Sequence, residues 1–197
     1  MLDKNLLLVD IGGTNIRYAY SNIGDCSFVS ENKAELESLN DFDNLISGLL
    51  ANSVVKNIVF SVAGPKVNNS IKMTNRNFQI DADAIRKRFN LESCHLLNDW
   101  ESIGYSIKTF SENDFDDFKE SEPFNENFLV IGPGTGLGAS VISGNNVIAT
   151  EIGNTNLGLS ALKSLLKINS DEFNVLEHII SGTGISKIFE SKTGKKA

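Results

Sequence analysis

Glycine-rich turns follow apolar segments at two places in this chain. The first turn, residues 10–15, comes after residues 6–9, and the second, residues 132–138, comes after residues 128–131. Each turn carries a threonine beside a glycine and leads into a further strand-like segment. Because glycine lets backbone N–H groups approach an anion closely, two such turns could clamp a polyphosphate. Two ordinary hairpins that need positive φ angles are the alternative.

The spacing of these turns excludes the commonest nucleotide-binding motifs. A dinucleotide site or a P-loop needs a helix directly after the glycines, because the helix N-terminus holds the phosphate. Strand-like residues follow both turns here, and neither turn contains Gly-x-Gly-x-x-Gly or leads into Gly-Lys-Ser or Gly-Lys-Thr.

A carboxylate that could act as a base follows a short buried strand. Asp99 comes with Asn98 where residues 95–97 end and a helical pattern begins. Ligands of open α/β sheets bind at the carboxyl ends of the strands. A carboxylate there can accept the proton of an alcohol that attacks phosphorus. A helix N-cap, supplied by either residue, would explain the same pair.

Asp10 ends the first strand beside the glycines. It could hold Mg²⁺ through water, because Mg²⁺ favours one or two carboxylates together with phosphate oxygens. An aspartate that binds the backbone amides of its own turn is the alternative. Thr14 and Thr135 could give hydroxyls to phosphate oxygens, or they could close their own turns.

The elements that position these residues form a repeated unit. Three strands open the chain, to about residue 30, and a second set of three begins near residue 127; a glycine turn joins the first two strands of each set. Helical spacing predicts a helix over residues 39–50 and one long helix over residues 171–190. Asp81 is expected to cap a further helix. Strands that alternate with helices indicate an α/β fold.

The order of the predicted strands and helices along the chain indicates two lobes. Residues 1–110 form the first lobe, the acidic residues 111–126 form a linker, and residues 127–197 begin the second lobe. Because the second lobe lacks the later strand–helix units of the first, it is interpreted as incomplete. Its early strands are expected to expose apolar residues that a full lobe would cover.

Composition narrows the class of protein. The chain has 197 residues and a net charge of −7, which argues against a nucleic-acid partner. It contains no apolar run that could span a bilayer and no signal-peptide pattern, so a cytoplasmic protein without a membrane partner is expected. Cys26 and Cys94 are interpreted as small core residues. Two histidines are too few for a His-rich metal site.

Five short segments occur here in the order of one known family. They are residues 8–15 (Leu-Val-Asp-Ile-Gly-Gly-Thr-Asn), Met73-Thr74-Asn75, Leu97-Asn98-Asp99, residues 132–138 (Gly-Pro-Gly-Thr-Gly-Leu-Gly) and residues 177–182 (Glu-His-Ile-Ile-Ser-Gly). Through them the chain resembles the bacterial glucokinases of the hexokinase-like, actin-type ATPase superfamily, and not its repressor-related branch. The resemblance implies an actin-like, ribonuclease H-like ATPase fold whose two lobes enclose a cleft.

The resemblance also implies an activity and a set of roles. The activity is transfer of the γ-phosphate of ATP to the 6-hydroxyl of glucose, with Mg²⁺. Asp99 matches the catalytic base of the family, and Asn98 its sugar-binding neighbour. Glu151 and Glu177 match two glutamates that bind sugar hydroxyls. Asn154 stands where the family has a sugar-binding histidine.

The two glycine turns match the phosphate-binding motifs of the family. The residues concerned are Gly12, Gly13, Thr14 and Asn15 in the first turn, with Asp10 before them, and Gly134, Thr135 and Gly136 in the second. Relatives of this kind often pair, so the resemblance also implies a homodimer.

The chain departs from the family pattern in two respects. The family has Gly-Glu-Gly-Gly-His where residues 150–154 here are Thr-Glu-Ile-Gly-Asn. Family members are also longer, so the chain is interpreted as truncated at its C-terminus. A non-catalytic sugar-binding or regulatory module, a kinase for another hexose, and another phosphotransferase of the same fold are therefore alternatives.

Overall fold

The computed structural model describes residues 3–12, 15–35, 38–51, 53–73, 79–116, 118 and 125–197. Several residues named above lie outside this part of the chain: Gly13, Thr14, Thr74, Asn75 and most of residues 117–124. The chain divides into two compact units, Met1–Ser102 and Ile103–Ala197. No helix in the described part of the chain is long and apolar enough to cross a membrane.

The first unit alternates strands with helices. In chain order its elements are β1 (Leu6–Ile11), β2 (Asn15–Ser21), β3 (Val29–Glu35), α1 (Leu39–Ala51), β4 (Asn57–Val62), β5 (Lys66–Val67), β6 (Ser70–Lys72), β7 (Gln79–Asp81), α2 (Ala82–Arg88), β8 (Ser93–Asn98) and α3 (Asp99–Ser106), whose last turn belongs to the second unit.

A five-stranded sheet in the order β3-β2-β1-β4-β8 is the frame of the first unit. β1 pairs antiparallel with β2 and parallel with β4, and β4 pairs parallel with β8. In this register Ile11 lies beside Val62, and Val62 lies beside Asn98. The carboxyl ends of β1, β4 and β8 therefore meet at one edge of the sheet.

The core of the first unit follows the strand and helix periods. Alternate residues such as Leu7, Val9 and Phe60 are buried on one face of the sheet. α1 packs on that face with Phe42 and Ile46, which lie one turn apart. The rings of Phe42 and Phe60 lie 5.8 Å apart between centroids. This packing fixes the sheet edge at which the carboxyl ends of β1, β4 and β8 meet.

The second unit has a smaller sheet and core. Its elements are β9 (Asn127–Pro133), β10 (Leu137–Ser143), β11 (Asn146–Thr150), a 3₁₀ turn (Ile152–Asn154), α4 (Leu159–Leu166), α5 (Glu177–Ile180) and α6 (Gly182–Thr193). The strands form an antiparallel sheet in the order β11-β10-β9. As predicted, the strands expose apolar side chains, and these are Phe128, Leu129, Ile131 and Ile148.

Several local predictions are confirmed and three are wrong. α1 and the Asp81 cap are confirmed, with the Asp81 carboxylate accepting a hydrogen bond from Ala84 N at 2.9 Å. β3 extends to Glu35, beyond the predicted end. Cys26 is exposed and not a core residue. The single helix predicted over residues 171–190 is replaced by α5 and α6: residues 171–176 lie outside any helix, and Ser181 is extended, with its hydroxyl capping α6.

Candidate functional site

Asn98 is the N-cap of α3. Its Oδ1 accepts hydrogen bonds from Trp100 N at 2.9 Å and from Glu101 N at 3.3 Å. Its Nδ2 donates to the Gly64 carbonyl at 2.9 Å, and the residue is 7% exposed. These bonds leave the Asn98 side chain with one orientation at the end of β8.

The Glu101 carboxylate completes a capping box with Asn98. Glu101 Oε2 accepts a hydrogen bond from Asn98 N at 3.2 Å, so cap and carboxylate each satisfy N–H groups of the other. Asp99, the first residue of the helix, is half-buried and its Oδ1 accepts from Trp100 N at 3.0 Å. The capping alternative thus applies mainly to Asn98, which satisfies two helix amides.

Asp10 lies at the same sheet edge of the first unit. It is exposed, and Ser61 on β4 donates a hydrogen bond to its Oδ1 at 3.1 Å. Gly12 N donates to Asn15 O at 3.0 Å, which closes the turn after β1. No group of three acidic, histidine or cysteine side chains that could hold a metal occurs among the described residues. One carboxylate fits Mg²⁺ only if phosphate oxygens and water supply the other ligands.

The second glycine turn is closed by its own backbone. Gly134 N donates to the carbonyls of Gly132 at 3.1 Å and Gly136 at 2.9 Å. Over the part of the chain that the structure describes, the N–H groups of Thr135 and Gly136 form no hydrogen bond. Unpaired backbone amides in a turn are the donors that bind anions.

Residues at the start of α6 donate hydrogen bonds to the carbonyls of this turn. Gly182 N donates to Gly134 O at 2.8 Å, and Thr183 Oγ1 donates to Thr135 O at 3.0 Å. The Ser181 hydroxyl caps the same helix by accepting from Gly184 N. The carbonyls of the turn are therefore used, which leaves the N–H groups of Thr135 and Gly136 as the backbone groups that remain open.

Glu177 touches the residue that follows the turn. Its Oε2 accepts a hydrogen bond from Leu137 N at 2.9 Å. A Cβ built on Gly136 would clash with that same oxygen, so only glycine fits there without movement. The half-buried Glu177 carboxylate and the turn are in direct contact.

Glu151 and Asn154 lie together at the 3₁₀ turn after β11. Asn154 Nδ2 donates to Glu151 Oε2 at 3.2 Å, and both residues are exposed. Between them Gly153 is buried, and a Cβ on it would lie 2.6 Å from Leu137 O. The backbone of Leu137 is thus a shared neighbour of the 3₁₀ turn and of Glu177.

The structure groups the predicted residues by unit. The first unit holds Asp10, Gly12, Asn15, Asn98 and Asp99, and the second holds Gly134, Thr135, Gly136, Glu151, Asn154 and Glu177. The sequence patterns did not predict the residues that support these two groups, which are Glu101 with its ion-pair partner Lys66, Ser181 and Thr183. The Asn-x-x-Glu spacing of the capping box was a usable signal for Glu101.

A family model described as glucokinase matches residues 7–197 of this chain. The glucokinase of Nostoc punctiforme is 27% identical, and the match covers 97% of this chain and 61% of the relative. The chain thus spans about 61% of the length of this relative.

Two solved structures are similar to the chain in fold. The crystal structure of glucokinase from an Antarctic psychrotroph has a TM-score of 0.72 and 25% identity, and the match covers 98% of this chain and 66% of that one. The structure of glucokinase from Balamuthia mandrillaris in complex with glucose has a TM-score of 0.65 and 20% identity, with 97% and 64% covered. The second of these likenesses concerns the fold alone.

Proposed function

The chain belongs to the glucokinase family, and we propose that its activity is ATP-dependent phosphorylation of the 6-hydroxyl of glucose, which gives glucose 6-phosphate and ADP. The observation that carries this proposal is the Asn98–Asp99 pair. Asn98 caps α3 with its own side chain, and Asp99 adds a half-buried carboxylate at the carboxyl end of β8. That edge is the ligand-binding edge of an open α/β sheet.

Asp99 is the proposed general base. Its carboxylate accepts the proton of the sugar hydroxyl as that oxygen attacks phosphorus, and Asn98 binds the sugar beside it. The fixed cap geometry supports these roles, because a base must lie within hydrogen-bond reach of the proton that it takes. Closure around the sugar would exclude water, which competes as a phosphate acceptor.

The glutamates of the second unit are proposed to bind the sugar. Carboxylates accept hydrogen bonds from pairs of neighbouring hydroxyls, and Glu151 and Glu177 have oxygens that can do so. Asn154 bonds to Glu151 and adds an amide beside it. Glucose is the first hexose to test, because a member of the same fold, from Balamuthia mandrillaris, was crystallised with it.

The glycine turns are proposed to bind the phosphates of ATP. The unpaired amides of Thr135 and Gly136 serve this role in the second turn. Gly12, Gly13, Thr14 and Asn15 serve it in the first. Mg²⁺, held through water by Asp10, would neutralise phosphate charge when bound. We further propose a cytoplasmic homodimer that binds neither membranes nor nucleic acid, in keeping with the net charge of −7.

Binding and turnover test this function separately. Trp100, the only tryptophan, adjoins Asp99 and reports on glucose by its fluorescence, with a hexose of different hydroxyl geometry as the control. Release of ADP from ATP and Mg²⁺ is then measured with and without glucose. Saturable binding with glucose-dependent ADP release is expected.

The other outcomes separate the alternatives. Saturable glucose binding without ADP release would favour a sugar-binding module over a kinase. A response to another hexose alone would change the substrate. No binding and no ADP release by the folded chain would contradict the proposed function.

A further inference from the structure

We propose that Lys66 and Glu101 form a positioning pair that holds Asn98 and Asp99 in their working orientation. This inference rests on the proposed function, which gives Asn98 and Asp99 their roles. Neither Lys66 nor Glu101 is expected to touch the reacting atoms; they act through the cap of α3.

The Lys66–Glu101 ion pair is close and poorly exposed. Lys66 Nζ lies 2.8 Å from Glu101 Oε1 and 2.6 Å from Oε2, so one ammonium contacts both oxygens. The Glu101 side chain is 10% exposed and that of Lys66 32%. A carboxylate that is so little hydrated needs a partner, because an uncompensated buried charge is strongly unfavourable.

The pair is joined to the proposed site through Asn98. Glu101 Oε2, which contacts Lys66, is also the oxygen that accepts from Asn98 N at 3.2 Å. The Asn98 side chain in turn donates to Gly64 O, two residues before Lys66. Lys66, Glu101, Asn98 and Gly64 thus form a closed ring of contacts, in which the loop after β4 is tied to the start of α3.

The ring gives the ion pair a second effect besides compensating the charge of Glu101. Both Glu101 oxygens contact Lys66 Nζ, and one of them also caps Asn98 N. Lys66 belongs to the same loop as Gly64, whose carbonyl accepts a hydrogen bond from the Asn98 side chain. Gly64 itself has φ 142° and a Cβ on it would lie 2.8 Å from Lys72 O, so the loop has little freedom to adapt.

A four-member cycle on the full 197-residue chain tests the pair. The members are the wild type, Lys66→Met, Glu101→Gln and the double variant, with Arg88→Met as the control. Arg88 pairs with Asp43 at an exposed site of the same unit, where loss of a charge pair has little effect. Each protein is measured for its glucose Kd by Trp100 fluorescence, for its Tm, and for the NMR resonances of the Asn98 side-chain amide.

Lys66→Met is expected to weaken glucose binding by about tenfold or more, because a small misplacement of a binding group by a remote change is costly. It should also shift the Asn98 amide resonances. Glu101→Gln keeps an acceptor for Asn98 N and should have a smaller effect. The double variant should bind better than Lys66→Met alone, because the neutral amide that replaces the Glu101 carboxylate needs no cation. Arg88→Met should match the wild type in Kd and in the Asn98 resonances.

A purely structural pair would behave differently. Wild-type glucose Kd values in all members of the cycle would overturn the proposal, even if Tm falls. If Lys66→Met does not fold, the glucose Kd and the Asn98 resonances of Glu101→Gln test the proposal instead. If the wild type binds no glucose, the proposed function fails for this chain, and the positioning pair is then tested by the Asn98 resonances alone. A shift in Lys66→Met that is absent in Arg88→Met supports positioning, and unchanged resonances overturn it.

Discussion

The carboxylate of Glu177 accepts a hydrogen bond from the backbone N–H of Leu137, with 2.9 Å between Oε2 and N. Leu137 is the first residue of β10 and directly follows Gly136 of the second glycine turn. Glu177 is also one of the two glutamates proposed to bind the sugar. One carboxylate therefore connects a proposed sugar contact to the strand that leaves a proposed phosphate turn.

Glu177→Ala is expected to lose both glucose affinity and stability. The Leu137 N–H would lose its acceptor in a part-buried place, at a cost of about 1–3 kcal/mol in the free energy of unfolding. Glu177→Gln keeps an acceptor and should lose glucose affinity with less loss of stability. Urea unfolding and a glucose titration measure the two effects.

Glu151→Ala is the matched comparison for Glu177. Glu151 is exposed and its side chain bonds to Asn154, so its removal should weaken glucose binding without lowering the unfolding free energy. Equal destabilisation by Glu151→Ala and Glu177→Ala would contradict a special support of β10 by Glu177.

Gly136→Ala should destabilise the second unit and weaken nucleotide binding. Its Cβ would clash with Glu177 Oε2, and movement of that carboxylate away from the turn would break its hydrogen bond with Leu137 N. Gly48→Ala in α1 is the control, because its Cβ would meet nothing within 4 Å and alanine favours a helix by about 1 kcal/mol. The Tm should therefore fall in Gly136→Ala and rise in Gly48→Ala. A Gly136→Ala protein with the Tm of the wild type would show that the Glu177 side chain moves aside without loss of stability, and would contradict the prediction.

Asp99→Ala is expected to lower turnover by orders of magnitude and to leave glucose binding nearly intact. The reason is that a general base acts on the proton in the transition state, while Asn98 and the two glutamates are the residues proposed to bind the sugar. Because Asn98 retains the cap, α3 should stay folded in this variant. ADP release and Trp100 fluorescence measure the two properties, and turnover close to wild type would rule out Asp99 as the base.

Periodic patterns predicted the elements that rely on one buried face. α1 has apolar residues at helical spacing, and its Phe42 and Ile46 are buried as that spacing requires. Asp81 was predictable as a cap because the chemistry of a cap is local. The expected order of strands around the first glycine turn also holds, since β1 and β2 flank it.

Features that depend on distant partners could not be predicted in this way. The break at Ser181 interrupts a continuous helical pattern, and it is stabilised where Gly182 N meets Gly134 O, a partner far away in the sequence. Lys66 follows β4 and Glu101 follows β8, so their contact depends on the pairing of these two strands. Glu151 and Glu177 carry no local signal at all, and only the resemblance to the family indicates them.

The two thiols should respond differently to a labelling reagent and to pH. Cys26 is exposed and should react in the native state, while Cys94, 5% exposed on β8, should react only on unfolding.

Burial raises the pKa of the Cys94 thiol from 9.0 to about 12. The unfolded chain therefore releases this proton first, and the stability contributed by the neutral buried thiol, complete below pH 9, is lost as pH rises toward 12. Cys94→Ala should show a shallower fall in unfolding free energy over that window than the wild type. Parallel falls in the unfolding free energy of the two proteins, or two fast-reacting thiols in the native wild type, would contradict the burial of Cys94.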